Sequence, residues 1–378
     1  MKMATVCSGI GAPEVASAGL GFRHVFMSEI EPFPSAVLAH RWPDVPNIGD
    51  MTKINGAAWN GKVGLLVGGT PCQAFSVAGL RNSLDDERGN LTLKFVELCN
   101  DIRPGFILWE NVPGVLSTKD NAFGCFLAGI VGEGVPLVPA GKRWTNAGYV
   151  SGPERNAAWR VLDAQYFGLA QRRRRVFVVA CPRNGADPCQ VLFEREGVQR
   201  HSAPSREKGE GFAGVAGTLS ANRGGLDMPA GNANELDFCV PVAFAQNQLG
   251  EVRTGEVANT LNTNFNASGR NTPCVAAIGW SEELTASKEL AGTLQYGGQG
   301  GRHDGVMTPA MQVRRLTPVE CEFLQGFPRN HTLIPWRNKP ADACPDGPRY
   351  KALGNSMAVP VIRWILKRIL KENENAKR

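Results

Sequence analysis

Cys72 sits in the run Gly-Gly-Thr-Pro-Cys-Gln at 68–73, directly behind the apolar stretch Val63–Val67. Glu110 lies 38 residues further on, at the end of a second apolar stretch, Phe106–Trp109. A thiol and a carboxyl at the ends of two strands of one parallel sheet face each other across a single crevice. That pair suits a reaction in which a thiolate adds to a ring while an acid protonates the ring. A free thiol titrates near ~8.5, so only a few per cent of it is thiolate at neutral pH, and nearby cations raise that share. The run Arg172–Arg175 supplies candidate cations. Strand alternation sets Arg173 and Arg175 on one side and Arg172 and Arg174 on the other, and the planar guanidinium fork fits carbonyl or phosphate oxygens. Glu110, approached by apolar residues and followed by Pro113-Gly114, is expected on a pocket wall, where partial burial lifts a carboxyl toward the range of a general acid.

A second constellation suggests a nucleoside ligand. Ser8-Gly-Ile-Gly11 follows the first apolar strand, and Glu29 ends the second strand 18 residues after Gly11. A glycine turn lets a ligand approach backbone, and an acid at that distance can hold a ribose diol. Glu14 stands where the dinucleotide pattern has its third glycine. A mononucleoside cofactor such as S-adenosylmethionine therefore fits better than NAD. Asp50, after Asn47-Ile-Gly49, is expected to take an adenine amino group at the third strand.

These residues need a scaffold of strands and helices. Short apolar runs at Ala4–Cys7, His24–Ser28, 63–67, 106–109 and Val176–Ala180 read as strands, with helical stretches at Pro13–Ala18, Pro34–His40 and Leu91–Asp101 between them. The alternation predicts an α/β fold, a doubly wound and mostly parallel sheet. Composition shifts near residue 190 to Gly, Asn, Thr and Ser, and order returns near 313. The expected organisation is one domain from 1–189 plus 313–378, interrupted by a smaller loop-rich β domain at 190–312. Within the insert, Ala216–Leu219, Ala258–Leu261 and Ala291–Leu294 share an Ala-x-Thr-Leu pattern at irregular spacing. They read either as strand starts or as separate recognition modules. Thr317-Pro-Val-Glu320 has the form of a capped helix start, and a final helix is expected from Ser356 to about Leu370.

Bulk properties narrow the class. The chain has 378 residues, 43% of them hydrophobic, and a net charge of +6, which permits a polyanionic partner without demanding one. No stretch of about 18 apolar residues exists, so no membrane span is expected, and the N-terminus reads as a first strand rather than a signal peptide. The 10 cysteines form no Cys-x-x-Cys pair. Reduced thiols in a cytoplasmic protein, without a zinc site, are the expectation.

Eight short segments occur in an order that resembles the DNA (cytosine-5)-methyltransferases, phage and prophage enzymes in particular. They are Cys7–Ala12, Ser28–Ile30, Gly49–Met51, Gly69–Ser76, Glu110–Val112, Gln171–Arg175, Arg315–Glu320 and Gly354–Ser356. Any one is modest support; eight in sequence are very specific, and they cover 3–369 apart from the middle region. The resemblance implies a Rossmann-like S-adenosyl-L-methionine-dependent fold and a monomer acting on double-stranded DNA. It implies that Cys72 attacks C6 of a flipped-out cytosine, that Glu110 protonates or hydrogen-bonds N3, that Arg175 contacts O2 and that Arg173 supports the site. Cofactor contacts are implied for Ser8, Gly9, Ile10, Gly11, Glu29, Ile30, Asp50, Met51, Pro71, Asn355 and Ser356, with Glu29 on the ribose, Asp50 on the adenine, and Asn355 and Ser356 at the amino-acid end. The middle region becomes the target-recognition domain. The chain departs from the family in having Cys7 for the usual Phe, Ala12 for a second Gly, and a longer segment at 119–160.

Three other readings compete. A tRNA cytosine-5 methyltransferase of the same fold would share Cys72 and Glu110, but Pro-Cys-Gln and the long insert favour duplex DNA. A catalytically idle DNA-binding protein would not need Cys72, Glu110 and Arg175 together. An NAD-dependent oxidoreductase is disfavoured by the incomplete glycine pattern.

Overall fold

The computed structural model describes residues 1–70, 91–193, the strands at 240–246, 252–255 and 274–278, and 312–376. The chain divides into two compact units. Met1–Pro204, Asn259–Gly269 and Thr317–Arg378 form one, and Ser205–Ala258 with Arg270–Leu316 form the other.

The first unit is built on a seven-stranded sheet. Its strands are β1 (Lys2–Val6), β2 (Arg23–Ser28), β3 (Leu65–Gly68), β4 (Phe106–Asn111), β5 (Ala147–Ser151), β6 (Arg155–Asp163) and β7 (Arg174–Pro182), in the order β2-β1-β3-β4-β7-β6-β5. The half from β2 to β4 is parallel, whereas β4–β7, β7–β6 and β6–β5 are antiparallel. The expectation of a mostly parallel sheet therefore holds for one half only. Connection length explains the β5–β6 and β6–β7 pairs. Parallel neighbours need a crossover of a dozen or more residues, but only residues 152–154 join β5 to β6, and the 164–173 link from β6 to β7 is also short of that. The β5–β6 hairpin lies largely in the segment 119–160 and was not foreseen. Its edge strand alternates exposed and half-buried residues and has no long apolar run to mark it.

The central strands read as continuous apolar runs because both faces are covered: every residue of β3 and β4 is buried. Helices α1 (Ala12–Ser17), α2 (Pro32–Arg41), α3 (Leu91–Ile102) and α4 (Ala122–Val131) follow the early strands. One core layer is aromatic. Trp109 stacks on Phe126 at 4.1 Å, and Phe123 meets Trp144 and Trp159 edge-on at 5.4 and 5.6 Å. The unforeseen hairpin and α4 thus complete the core beneath β4. After α5 (Pro188–Leu192), the unit resumes with α6 (Pro318–Gln325), α7 (Asp346–Asn355) and α8 (Val359–Asn375). Thr317 and Glu320 form the reciprocal cap of α6 that their spacing predicts. Helix α8 packs on α1, where Arg363 donates to the carbonyls of Ala16 and Ala18 at 2.9 and 2.8 Å.

Asp50 does not end a strand of the sheet, contrary to expectation. Asn47 makes an isolated bridge with Met27, and Asp50 caps a single 3-10 turn, Met51–Lys53, by accepting from the Thr52 N–H. Beside β2, this segment is too short and too polar to form a ladder.

Among the described residues the second unit contains four strands, β8 (Val240–Gln246), β9 (Val252–Gly255), β10 (Cys274–Ile278) and β11 (Gln312–Arg315), in an antiparallel sheet of order β11-β10-β8-β9. The three Ala-x-Thr-Leu segments lie outside the described residues. Among the described residues, no helix is long and apolar enough to cross a membrane.

Candidate active site

The carboxyl ends of β1, β2, β3 and β4 open into a cleft of about 1070 Å³. Glu110, near the end of β4, lies on its wall with 9% exposure. Its Oε1 is 3.2 Å from Arg175 Nε on the neighbouring strand β7. Burial raises the Glu110 pKa above the ordinary carboxyl value, against the opposing pull of Arg175 and Arg173. The group is thus biased toward carrying a proton while a cation holds its position.

The arginine run alternates as a strand should. Arg172 and Arg174 are exposed, Arg175 is half-buried and Arg173 is 3% exposed. Arg173 Nη2 donates to the carbonyls of Gly354 and Ser356 at 3.1 and 2.6 Å, so it ties the α7–α8 junction to the root of β7. Burial, with Arg175 beside it, pulls its pKa down to about 9, with Glu110 opposing. Its Nε and Nη1 have no partner among the described residues.

The other end of the cleft is lined by Cys7, Gly9, Glu29, Asp50 and Met51. Gly9 adopts φ +57, a left-handed conformation that glycine enters without cost. Its N–H donates to Glu29 Oε2 at 2.8 Å, and the Glu31 N–H donates to Oε1 at 2.8 Å. The carboxylate is oriented by backbone and keeps lone pairs for a diol. Cys7 Sγ is 3.4 Å from Met51 Sδ, so a sulfur pair stands at the position of the motif's usual Phe. Ile30 and Asn355 also line the cleft. Ser8 and Ser356 line a smaller adjoining cavity of about 30 Å³. Ile10 is placed differently: its side chain is fully buried in the core, and its carbonyl meets His331 Nε2 at 2.7 Å. Gly11 packs against Trp42. Pro71 and Cys72 lie outside the described residues.

Sequence reasoning passed over the residues that anchor the end of β3. Thr70 Oγ1 accepts from Trp109 Nε1 at 2.9 Å and lies 2.7 Å from the Thr92 hydroxyl, while its carbonyl accepts from Asn111 Nδ2 at 3.0 Å. The position of Thr70 two residues before Cys72 was the available signal. Gly69 passes so close to the acid that a Cβ there would lie 3.7 Å from Glu110 Oε2 and 2.6 Å from Met357 Cε. Phe33 and Trp336, edge-on at 5.2 Å, also line the cleft. No local pattern announces that a residue 303 positions after Phe33 returns beside it.

Residues 1–371 match the family model described as C-5 cytosine-specific DNA methylase. The chain is 42% identical over 465 aligned residues to a protein of Escherichia phage P1 named DNA N-6-adenine-methyltransferase, covering 97% of this chain and 61% of that relative. It therefore spans about six-tenths of that relative's length. It is 26% identical over 370 residues to the type II methyltransferase M2.BsuMI of Bacillus subtilis, covering 97% of this chain and 74% of the other. The crystal structure of the S. pombe Dnmt2 methyltransferase shares the fold, with a TM-score of 0.57 at 16% identity and 98% of each chain covered.

Proposed function

Because the chain belongs to the C-5 cytosine-specific DNA methylase family, we propose that it transfers a methyl group from S-adenosyl-L-methionine to carbon 5 of cytosine in duplex DNA. The observation that carries the reading is Glu110: a buried acid, held 3.2 Å from Arg175, in the same cleft as the Gly9–Glu29 turn.

The cleft's donor set fits the methyl donor. Gly9 offers close approach to backbone, with no atom of the described residues within 4 Å of a Cβ built there. Glu29 would hold the ribose hydroxyls, Asp50 the adenine amine, and Asn355 the amino-acid end, with Ile30 and Met51 as apolar walls. When bound, S-adenosyl-L-methionine supplies an electrophilic methyl group.

The remaining chemistry belongs to the chain. The Cys72 thiolate adds to C6 of the cytosine, and Glu110 gives its proton to N3, which prevents anionic charge from building in the ring. Arg175 would hold O2 and the Glu110 carboxyl together. Carbon 5, now electron-rich, takes the methyl group. The proton on C5 leaves to solvent, N3 returns its proton to Glu110, and the S–C6 bond breaks to regenerate the thiolate. Covalent connectivity supports this pairing: Cys72 follows Gly69 by three residues, and three residues of extended chain span at most about 11 Å. Attack from above the ring plane needs the base out of the stack, at a cost of a few kcal/mol, which phosphate contacts by Lys and Arg would offset. The second unit, with its antiparallel sheet, is assigned target recognition.

The name of the phage P1 relative describes that protein, and part of it lies outside the match. Methylation of an exocyclic amine needs neither a thiolate nor a proton donor for the ring, and both are costly to keep without use. The deciding test is nucleoside mass spectrometry after incubating the purified chain with unmethylated duplex DNA, tRNA and labelled S-adenosyl-L-methionine. Label in 5-methylcytosine from DNA is expected. Label in N6-methyladenine alone, or label only in tRNA, would overturn the proposal.

A further inference from the structure

Glu14, in the first turn of α1, is 2% exposed. Its Oε1 accepts the Thr5 hydroxyl at 2.7 Å, and Oε2, also buried, has no partner among the described residues. Thr5 Oγ1 lies 2.7 Å from Ser8 Oγ, which accepts from the Ser28 N–H at 3.0 Å. With Glu14 ionised, Thr5 donates to the carboxylate and Ser8 donates to Thr5. With Glu14 protonated the order can reverse, and the Ser8 hydrogen turns to the carbonyl of Thr5 or Ser28, 3.2 and 3.3 Å away. Thr5 and Ser8 line the smaller cavity together with Gly9, Glu110, Asn355 and Ser356. The hydroxyl chain therefore runs from a buried acid to the underside of the glycine-rich turn.

No cation among the described residues neutralises this acid. Arg363 of α8 spends its guanidinium on the carbonyls of Ala16 and Ala18, His24 of β2 meets Ser17, and Glu29 at the end of β2 takes the Gly9 N–H. A buried, unpaired carboxylate is costly to the fold. It is also attractive to a cation bound nearby. Burial pushes the Glu14 pKa up to about 7, with the Thr5 hydrogen bond opposing, so both hydroxyl orders are accessible near neutral pH.

We propose that Glu14 is a positioning residue for the glycine-rich turn: ionised, it aligns the Thr5 and Ser8 hydroxyls beneath Gly9 and favours the cationic methyl donor over its neutral product. This rests on the reading of the Gly9–Glu29 end of the cleft as the cofactor site. Calorimetric titration of the full chain with S-adenosylmethionine and S-adenosylhomocysteine, from pH 6 to 8.5, tests it. The ratio of the two Kd values cancels titration of groups the ligands share. In the wild type the preference for S-adenosylmethionine should rise severalfold through pH 7. In Glu14→Gln it should stay flat. Thr5→Val, which removes the hydrogen bond favouring the carboxylate, should move the inflection to higher pH and serves where the first variant does not fold. A sloping profile in Glu14→Gln, or an unmoved inflection in Thr5→Val, overturns the proposal. Failure of the wild type to bind either compound at any pH overturns the cofactor reading beneath it, and the proposal with it.

Discussion

In the proposed mechanism Glu110 and Cys72 act on opposite edges of one ring, so their substitutions should fail at different steps. Duplex DNA carrying 5-fluorocytosine separates those steps, because fluorine at C5 cannot leave as a proton does and the S–C6 adduct persists. The wild type should form a denaturant-resistant complex in the presence of S-adenosyl-L-methionine, and Cys72→Ala should form none. Glu110→Gln, which keeps shape but loses the proton, should form the adduct about 10²–10⁴-fold more slowly, with S-adenosylhomocysteine affinity changed by less than about threefold. A complex of normal rate in Glu110→Gln would remove the acid from the mechanism. Residue types and spacing were enough to single out Glu110 and Glu29, each at the end of an apolar run, and the arginine alternation just before one; Cys72 lies outside the described residues. Thr70, Trp109 and Asn111 were not legible as a clamp. Their hydrogen bonds join strands that are distant in sequence, and nothing local marks a tryptophan as a donor.

Elements that rely on their own residues were easiest to foresee. The parallel strands announce themselves as apolar runs, and α6 by its cap. There Glu320 Oε2 accepts from the Thr317 N–H at 2.7 Å, while Thr317 Oγ1 accepts from the Glu320 N–H at 3.3 Å. Helix α6 also carries Glu322, fully buried, whose carboxylate accepts from the N–H groups of Thr332 and Asn330 at 2.8 and 2.6 Å and lies 3.4 Å from Arg349. Thr317→Ala should therefore lower stability by about 1 kcal/mol, read as a shift in the urea midpoint, because the buried Glu322 network still fixes the helix. A loss of several kcal/mol would mean that the cap itself nucleates the returning segment. The helices and strands of the first unit that were missed are the β5–β6 hairpin, α4, α5 and α7. In the hairpin, register and direction come from a three-residue link and from packing beneath Trp109, neither of which is a periodic signal.

Across the whole molecule, two buried titrating groups flank the seam between the first strands and the returning C-terminal segment, and their pH dependences oppose each other. His331 stacks on Phe327 at 4.6 Å and reaches the Ile10 carbonyl, and burial pulls its pKa from 6.5 down to about 4. The unfolded chain then takes up the proton first, so stability is full above pH 6.5 and is lost as pH falls toward 4. Glu14 runs the other way. Its pKa rises from 4.5 to about 7, so its contribution is full below pH 4.5 and is lost as pH rises through 7. Each shift corresponds to about 3 kcal/mol. Between pH 7 and 4.5 the two nearly cancel. Glu14→Gln should remove the opposing contribution and let that of the histidine show, with stability falling by roughly 3 kcal/mol more than in the wild type over that window, measured by urea unfolding at each pH. His331→Gln should expose the acid, with stability rising as pH falls. Parallel pH profiles in the wild type and both variants would show that neither group is held at its buried pKa in solution. The same seam carries the glycine turn on one side and the Arg173-bound α7–α8 junction on the other, so a pH that loosens it should weaken S-adenosylhomocysteine binding before the sheet unfolds.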